Sequence, residues 1–297
     1  GYFMKDLLTQ IYGDSEPVID VLDNGFVRLV DCMPSRIPEG EESADYAIAE
    51  AARCSYKRGT KTIRDDKTLI RYLMRHDHTS PLEMIEFKFH IKLPIFVARQ
   101  WIRHRTASVN EMSGRYSEMP EEYYVPAIDN LRTQSEINRQ GSEGSIDVEK
   151  AQEIIDRFKQ SCAGAFELYR GFLGEGVARE QARMVIPLTT YTEWYWKIDL
   201  HNLLHFLDLR CDQHAQWEIQ VFADAMLELI RPIVPWTIGA WQDYSPYRNG
   251  MMLTGFEVEA IRKAISDNQV KAAPINAENK LEQLELSQKA KTLGFID

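Results

Sequence analysis

The stretch Ile85-Glu86-Phe87-Lys88-Phe89-His90-Ile91-Lys92-Leu93 alternates apolar and polar residues along its whole length. Side chains of a β-strand point alternately to the two faces of a sheet, so this period of two predicts a strand with one buried and one solvated face. Pro94 ends the strand and suits the start of a helix, which we predict from Ile95 to about Arg103. The sequence therefore predicts a sheet and places a strand-helix-loop junction at Arg103.

Strand and helix patterns also precede this stretch. The segment from Val18 to Val30 predicts a β-hairpin around Asp23-Asn24-Gly25, because an Asn-Gly step favours positive φ. Apolar residues at helical spacing predict one helix from about Ser43 and another from about Asp65. The carboxylate of Asp65 is expected to cap the second helix.

More predicted elements follow the junction. They are a polar surface loop or insertion from Ala127 to Ile146, helices from about Asp147 to Leu173, from Val177 to Ile186 and from His214 to about Ile230, an aromatic strand from Leu188 to Ile198, and a helix capped by Asp199. We find no internal repeat.

The C-terminal part differs in composition from the rest of the chain. Beyond about Met251 the sequence becomes polar, and Asn276 to Lys291 is predicted to be an exposed helix or a partly disordered tail. Such a tail either packs on a neighbouring subunit or hangs free. We therefore expect a main domain of residues 1–250 and a C-terminal extension of residues 251–297.

Composition indicates an ordinary globular protein. The chain has 297 residues, 44% of them hydrophobic, and a formal net charge of -10. No apolar run approaches the roughly 20 residues that cross a bilayer, and no secretory signal pattern is present, so we expect a cytoplasmic protein. The four cysteines are scattered without a Cys-x-x-Cys pair and are expected to be buried free thiols.

Arg103, His104 and Arg105 form a dense cationic block in this acidic chain. Neighbouring guanidinium groups repel one another, so their ordered arrangement needs carboxylates or bound phosphate. Phosphorylated small molecules are favoured over a nucleic-acid polymer, because the chain as a whole is acidic. Glycine-rich phosphate-binding patterns are missing from the sequence, so side chains must hold any phosphate.

Two groups of histidines are candidates for ligand contacts. His201 and His205 are four apart on a predicted helix, a spacing that can chelate zinc. Asn202 stands where a zinc hydrolase has glutamate, and no third ligand matches, so a polar pocket wall or ligand contact is favoured over a metal site. His78 and Ser80 follow the end of a predicted helix in a turn that presents side chains to a ligand.

The Arg-His-Arg block is one part of a longer pattern. Matching segments are Ser108, Asn110-Glu111, Ser113 and Arg115-Tyr116 after the block, His78-x-Ser80-Pro81 and Phe96-Val97-Ala98-Arg99-Gln100-Trp101 before it, and Arg183-x-Val185-x-Pro187-Leu188 and Leu209-Arg210-x-Asp212-x-His214-Ala215-Gln216-Trp217-Glu218 further on. This pattern closely resembles the signature of the flavin-dependent thymidylate synthases. The resemblance covers roughly Val18 to Trp241.

The resemblance implies both a fold and an activity. The fold is α+β, with a mostly antiparallel sheet flanked by helices in a single domain that ends in a helical C-terminal tail. The activity is methylation of dUMP to dTMP, with methylenetetrahydrofolate as the one-carbon donor and with FAD that NADPH reduces. The resemblance also implies a homotetramer whose active sites combine residues from several subunits, with no nucleic-acid or membrane partner.

The resemblance further implies roles for individual residues. Arg210 is the expected catalytic residue, because a guanidinium at the uracil ring stabilises negative charge and lets C5 attack the one-carbon unit. Flavin contacts are implied for Ser80, Arg103, His104, Arg105, Glu111, Asp199, His201 and His205. Substrate contacts are implied for His78, Gln100, Arg103, Glu111, Met112, Ser113, Gly114, Arg115, Arg183 and Arg210.

Within that set, Arg115 is expected to bind the 5′-phosphate through paired N–H donors. Ser113 lacks an activating base in the sequence, which favours a positioning role over a covalent one. Neither a metal nor a cysteine nucleophile is expected. The competing interpretation is a non-catalytic nucleotide-binding or RNA-binding protein that uses the arginines for phosphate alone.

Overall fold

The computed structural model describes residues 4–55, 65–135, 141–267 and 279–293. Its helices are α1 (Leu7–Tyr12), α2 (Asp45–Arg53), α3 (Asp66–Arg75), α4 (Ile95–Trp101), α5 (Val148–Gly174), α6 (Arg179–Ala182), α7 (Leu200–Arg210), α8 (Trp217–Ile230), α9 (Pro235–Tyr244), α10 (Gly255–Ser266) and α11 (Lys280–Leu293). Its strands are β1 (Met4–Asp6), β2 (Val18–Val21), β3 (Gly25–Met33), β4 (Arg36–Pro38), β5 (Glu86–Pro94), β6 (Ser108–Glu111), β7 (Thr133–Gln134), β8 (Ser142–Glu143) and β9 (Tyr191–Asp199). None of the described helices is long and apolar enough to span a membrane.

Strand β5 lies at the centre of the main sheet. Among the described residues, this sheet has the order β2-β3-β5-β9-β6, and all of its pairings are antiparallel. The alternation that predicted β5 is confirmed, because Phe87, Phe89 and Ile91 are fully buried on one face. The α+β fold class, with an antiparallel sheet and flanking helices, is confirmed as well.

The predicted hairpin is confirmed and longer than expected. Val21 pairs with Gly25 across the turn, and β3 continues to Met33 after a register shift between Leu29 and Asp31. The shift lets the second strand bend while it stays paired with β5. Periodicity alone does not reveal such an irregularity.

Both predicted aspartate caps are confirmed. The carboxylate of Asp65 accepts a hydrogen bond from the Thr68 amide at 2.7 Å, and that of Asp199 accepts one from the Asn202 amide at 2.9 Å. A capping carboxylate satisfies an amide at the helix start that has no partner inside the helix. The caps fix the start of α3 and of α7.

Several predicted boundaries are wrong by a few residues. Helix α4 ends at Trp101 rather than Arg103. Helix α8 begins at Trp217 rather than at His214, because the His214 amide donates to the Asp212 carboxylate at 2.7 Å in a turn. The helix predicted from Val177 is instead α6 followed by a 3-10 turn, Arg183–Val185. Strand β9 begins at Tyr191, since a turn closes from the Thr190 amide to Pro187.

The junction that carries the Arg-His-Arg block is fixed by aromatic packing. Trp101, fully buried at the end of α4, packs edge-on against Trp194 and Trp196 of β9 with ring centroids 5.7 and 5.3 Å apart. Its centroid is 4.8 Å from that of Phe206 in α7. Arg103 therefore follows a rigid anchor between the sheet and α7.

The polar segments show more structure than predicted. The segment from Ala127 to Ile146 contains a 3-10 turn, Ile128–Asn130, and the paired strands β7 and β8, while its residues 136–140 lie outside the described residues. In the C-terminal tail, Asn276 also lies outside the described residues. Helix α11 is not fully exposed, because its residue Glu282 is buried. Cys54 is exposed, whereas the other three cysteines are buried free thiols as expected.

Candidate active site

A cavity of about 370 Å³ lies between the end of α4 and helix α7, and we call it the arginine cavity. Its volume is typical of a small-molecule site. None of the described residues that line it is a carboxylate, although the chain carries a net charge of -10. The lining residues are Arg103, His104, Arg105, Thr106, Ile198, Asn202, His205, Leu209 and Arg210.

His104 and Arg210 are joined inside this cavity although they are far apart in sequence. Arg210 Nε donates a hydrogen bond to His104 Nε2 at 3.0 Å. Burial lowers the pKa of His104 to about 4, and the charges of Arg210 and His205 act in the same direction. His104 is therefore neutral at pH 7, with Nε2 as the acceptor and the proton on Nδ1.

Arg210 carries a charge that the described part of the chain does not balance. Burial lowers the pKa of its guanidinium, and no described carboxylate forms an ion pair with it. Its bond to His104 uses Nε and leaves the two terminal amino groups for a ligand. A half-buried cation without a counter-charge favours an anionic partner, because the partner offsets the lost hydration.

A second cavity of about 200 Å³ lies between the end of α3 and helices α7 and α9, and we call it the histidine cavity. His205 lines both cavities, and its ring centroid is 6.1 Å from that of His104. The two cavities therefore meet at His205. The histidine cavity is lined by Leu73, Met74, Asp77, His78, Thr79, Leu82, His201, Leu204, His205, Asp208, Trp241, Tyr244, Ser245 and Pro246.

The C-terminal turn of α3 presents His78 to this cavity. The His78 amide donates to the Leu73 carbonyl at 2.9 Å, and the His76 amide donates to the Tyr72 carbonyl at 3.2 Å. Between them Asp77 adopts a positive φ of 53°, as in the left-handed cap that ends many helices. His78 thus lies beyond the helix end as predicted, and exposed Ser80 follows it closely.

The signature loop, residues 111–115, lies at the opposite end of β6 from the arginine cavity. Ser108 pairs with Lys197 and Glu111 pairs with Trp194 in the β6–β9 ladder. At about 3.3 Å per residue, the strand places Glu111 roughly 10 Å from Ser108 along the sheet edge. The predicted nucleotide contacts of the signature loop therefore lie apart from the arginine cavity, which contains two further predicted nucleotide contacts, Arg103 and Arg210.

The loop packs closely against Arg183. Gly114 is buried, and a Cβ atom there would lie 2.8 Å from Met119 Sδ and 3.3 Å from Arg183 Cδ. A side chain at this position would therefore have to displace the Met119 thioether. At the start of the loop, the Glu111 carboxylate accepts a hydrogen bond from Thr192 Oγ1 at 2.8 Å.

The predicted phosphate contact, Arg115, lies on the surface. Its backbone amide donates to Ser113 Oγ at 3.2 Å, and its Nε donates to Glu180 Oε2 at 3.3 Å. Both side chains of the Arg115–Glu180 pair are more than half exposed, so an anionic ligand competes easily with this carboxylate.

Three other predicted site residues, Asp199, Gln100 and Met112, are not among the lining residues of the two cavities. Asp199 uses both carboxylate oxygens on Asn202, at 2.9 Å to the amide and 2.7 Å to Nδ2. Gln100 lies in the last turn of α4, and the Met112 amide donates to the Glu193 carbonyl at 2.9 Å. Their predicted ligand contacts stay predictions.

Sequence reasoning missed Asp208 in the histidine cavity. Burial raises the pKa of its carboxyl group, which accepts hydrogen bonds from Trp241 Nε1 at 2.8 Å and Ser245 Oγ at 2.6 Å. Asp208 lies three residues after His205 and four after Leu204 on α7. That helical spacing is the signal that predicts a shared face.

Comparison with known proteins decides the family. The sequence profile of the thymidylate synthase complementing protein family matches residues 36–236. The chain belongs to this family. The resemblance inferred from the Arg-His-Arg signature is thereby confirmed.

Individual members and solved structures agree with this family. The chain is 49% identical to a flavin-dependent thymidylate synthase of Dictyostelium discoideum over 275 residues, which are 93% of this chain and 87% of the relative. It is 52% identical to one of Thermus thermophilus over 244 residues, 82% of this chain and 84% of the relative. A UMP/dUMP methylase of Streptomyces cacaoi, crystallised with 5-Br dUMP, matches with a TM-score of 0.65 and 32% identity over 76% of this chain and 98% of that one.

These matches establish the class of protein. The chain is an enzyme of the flavin-dependent thymidylate synthase family, a flavoprotein and a methyltransferase. The competing interpretation, a non-catalytic nucleotide or RNA binder, is therefore wrong.

Proposed function

We propose that the chain catalyses the reductive methylation of dUMP to dTMP, with methylenetetrahydrofolate as the one-carbon donor. The unbalanced cation Arg210, bonded to neutral His104 in a cavity lined by two further arginines, is the observation that carries this proposal. Support also comes from the Streptomyces cacaoi enzyme, whose solved structure holds 5-Br dUMP.

The residues of the two cavities suit FAD. Besides Arg210, the arginine cavity offers the guanidinium groups of Arg103 and Arg105 without a lining carboxylate, and these donors match a pyrophosphate. Arg103, His104 and Arg105 would hold the cofactor there, and His205, His201, Ser80 and His78 would extend its contacts into the histidine cavity. When bound, FAD supplies the two electrons that turn the transferred methylene carbon into a methyl group, and NADPH replaces them.

Arg210 acts on the pyrimidine in this proposal. Its terminal amino groups donate hydrogen bonds to the uracil ring, where negative charge develops as C5 becomes nucleophilic. Neutral His104 holds Nε of the same guanidinium, which fixes the orientation of the fork without adding a competing charge. Arg183 and Arg115, with the signature loop, hold the nucleotide and its 5′-phosphate.

We further propose that a second copy of the chain completes each active site in a homotetramer. The signature loop lies at the surface, and the side chains of Tyr116, Met184 and Leu188 near it are 79%, 75% and 60% exposed. A phosphate site open to water binds weakly, so the loop needs a covering partner. A neighbouring copy would bring its arginine cavity to the loop.

One assay tests the activity. Purified protein is incubated with dUMP, methylenetetrahydrofolate, FAD and NADPH, and dTMP is measured. We expect dTMP and NADPH oxidation in equal amounts, with no product when either folate or NADPH is left out. Reduction of flavin without any dTMP would contradict the proposed reaction.

Mixing two inactive variants tests the composite site. Arg115→Ala and Arg210→Ala are each expected to be inactive, and co-expression of both is expected to restore part of the turnover. Restoration requires that some sites take Arg115 from one chain and Arg210 from another. If both residues of a site come from the same chain, the mixture stays inactive and the composite site is wrong.

A further inference from the structure

The C-terminal helix α11 is attached to α3 by charged side chains, which we call the clasp: Arg71 and Arg75 of α3 with Glu282 and Glu285 of α11. Glu282 accepts from Arg71 Nη2 at 3.3 Å and from Arg75 Nη1 at 3.0 Å, and a shorter bond joins it to Arg71 Nε. Glu285 accepts two hydrogen bonds from Arg75, at 2.5 Å from Nε and 3.0 Å from Nη2. Paired bonds of this kind fix orientation as well as distance.

The clasp is buried, although all of its members are charged. The side chains of Arg71, Arg75 and Glu282 are only 6%, 7% and 7% exposed. Among the described residues of α11, Glu282 alone is buried, so a carboxylate is the deepest anchor of this helix. Hydrogen bonds from Arg75 lower the pKa of Glu285 to about 2, which keeps this partner ionised.

The clasp contacts the wall of the histidine cavity at Tyr244. The Tyr244 hydroxyl donates to Glu282 and accepts from Arg75 Nη1, the latter bond at 3.2 Å. Arg71 Cζ lies 4.8 Å above the Tyr244 ring, a cation-π distance. Tyr244 also lines the histidine cavity, so the clasp contacts one wall of that cavity.

The clasp also contacts the turn that presents His78. His76 Nε2 lies 3.2 Å from Glu285 Oε1, and the His76 ring centroid is 4.4 Å from that of Tyr72 and 6.3 Å from that of His78. The turn thus has a second link to α11, independent of Tyr244. Two sides of the histidine cavity are therefore connected to one helix.

We propose that Glu282 and Glu285 are positioning residues of the histidine cavity, and that α11 holds Tyr244 and the His76–His78 turn in their ligand-binding arrangement. The family profile ends at residue 236, before α11 begins. The ligand whose binding should weaken without the clasp is the flavin. That the ligand of this cavity is a flavin rests on the proposed function. Nucleotide binding is spared, because the clasp bonds connect α11 to α3 and Tyr244 and not to the signature loop.

The test uses the full-length protein and the double variant Glu282→Gln/Glu285→Gln, with Glu259→Gln in exposed α10 as the matched control. The dissociation constant for FAD is measured by flavin fluorescence, and KM for dUMP and kcat are measured in parallel. We expect FAD affinity to fall by about tenfold or more, the scale of one lost charge-assisted hydrogen bond. We expect KM for dUMP to stay within about twofold of the wild-type value and the control to behave as wild type.

Tyr244→Phe provides a variant that keeps the ring and removes only the hydroxyl between Glu282 and the cavity. We expect it to weaken FAD binding by several-fold at a temperature at which the variant is fully folded. If both variants bind FAD as the wild type does, α11 only stabilises the chain and the proposal is overturned.

A measurement without ligand separates this proposal from the proposed function. Hydrogen exchange of the His78 amide, bonded to Leu73, is followed by mass spectrometry in flavin-free protein. We expect exchange in this turn to be about tenfold faster in the double variant and unchanged in the signature loop. Unchanged exchange in the turn overturns the proposal, whereas a wild-type protein that binds no flavin contradicts only the proposed function.

Discussion

The two arginine-rich regions of this protein differ in how their charge is balanced. In the clasp, Arg71 and Arg75 each bind a carboxylate of α11 and are almost fully buried. In the arginine cavity, Arg210 is half-buried, and its described partner is a neutral histidine. An arginine therefore has a structural role where the protein supplies its anionic partner. It has a functional role where a ligand must supply that partner.

The largest effect is expected for Arg210→Ala, which removes the arginine with the functional role. Formation of dTMP should fall by about 10²–10³-fold or more, because donors to the developing charge are lost. The melting temperature should not fall, since no carboxylate is left unpaired. Steady-state turnover and thermal unfolding measure the two quantities.

The control for this variant is Arg231→Ala, which removes an exposed arginine and should leave turnover unchanged. Turnover of Arg210→Ala within tenfold of wild type would exclude Arg210 as the activating residue. A large drop in its melting temperature would show that Arg210 belongs with the structural arginines.

A smaller effect is expected for Glu282→Ala, which removes a carboxylate of the clasp and should weaken the attachment of α11. The free energy of opening α11, measured by native-state hydrogen exchange in that helix, should fall by about 2–3 kcal/mol, because two buried guanidinium groups lose a carboxylate. The loss is limited, since α11 can detach and allow water to reach the arginines.

Glu180→Ala is the matched change in an exposed pair. Its partner Arg115 is 56% exposed, so we expect the local opening free energy, measured by the same hydrogen exchange, to change by less than about 1 kcal/mol. Equal effects of the two variants would mean that burial does not distinguish the clasp from a surface ion pair.

The protonation of His104, the neutral partner of Arg210, is expected to have the smallest of these effects. The unfolded chain binds this proton near pH 6.5 and the folded chain at about pH 4, so between these values the unfolded state holds more protons. The free energy of unfolding of the flavin-free protein should therefore decrease as pH falls from 6.5 toward 4. Over this range the two pKa values correspond to about 2–3 kcal/mol, and solvent screening of this half-buried ring reduces the expected change to roughly 1–2 kcal/mol.

Denaturant unfolding at several pH values measures this slope in the wild type and in His104→Gln. The variant keeps an acceptor for Arg210 and removes the titrating group, so its slope should be shallower. Identical slopes would show that His104 does not stay neutral in the folded protein.

Local patterns predicted the parts of the fold that local chemistry determines. Strand β5 follows from its period of two, and the starts of α3 and α7 follow from the capping carboxylates of Asp65 and Asp199. Strand β6 was not predicted, because its four residues are all exposed and show no alternation. The clasp was not predicted either, since Arg71 and Glu282 are 211 residues apart and neither lies in a distinctive motif.

The candidate site was predictable to a different extent. The Arg-His-Arg block indicated an anionic ligand from charge alone, and the role of Arg210 came from family resemblance, but the bond between the two was not predicted. The bond between His104 and Arg210 spans 106 residues, and only the packing of α7 against the Trp101 anchor creates it. The neutrality of His104 depends on that packing too, because it is a consequence of burial.

Gly114 has a consequence for the genetics of this enzyme. A Cβ atom at this position would meet the flexible thioether of Met119 first and the Arg183 side chain second. In a selection for growth without added thymidine, Gly114→Ala should therefore behave as a partial loss-of-function allele. Its second-site suppressors should appear at Met119, where a smaller residue makes room, and not at Arg183, whose guanidinium is proposed to bind the nucleotide.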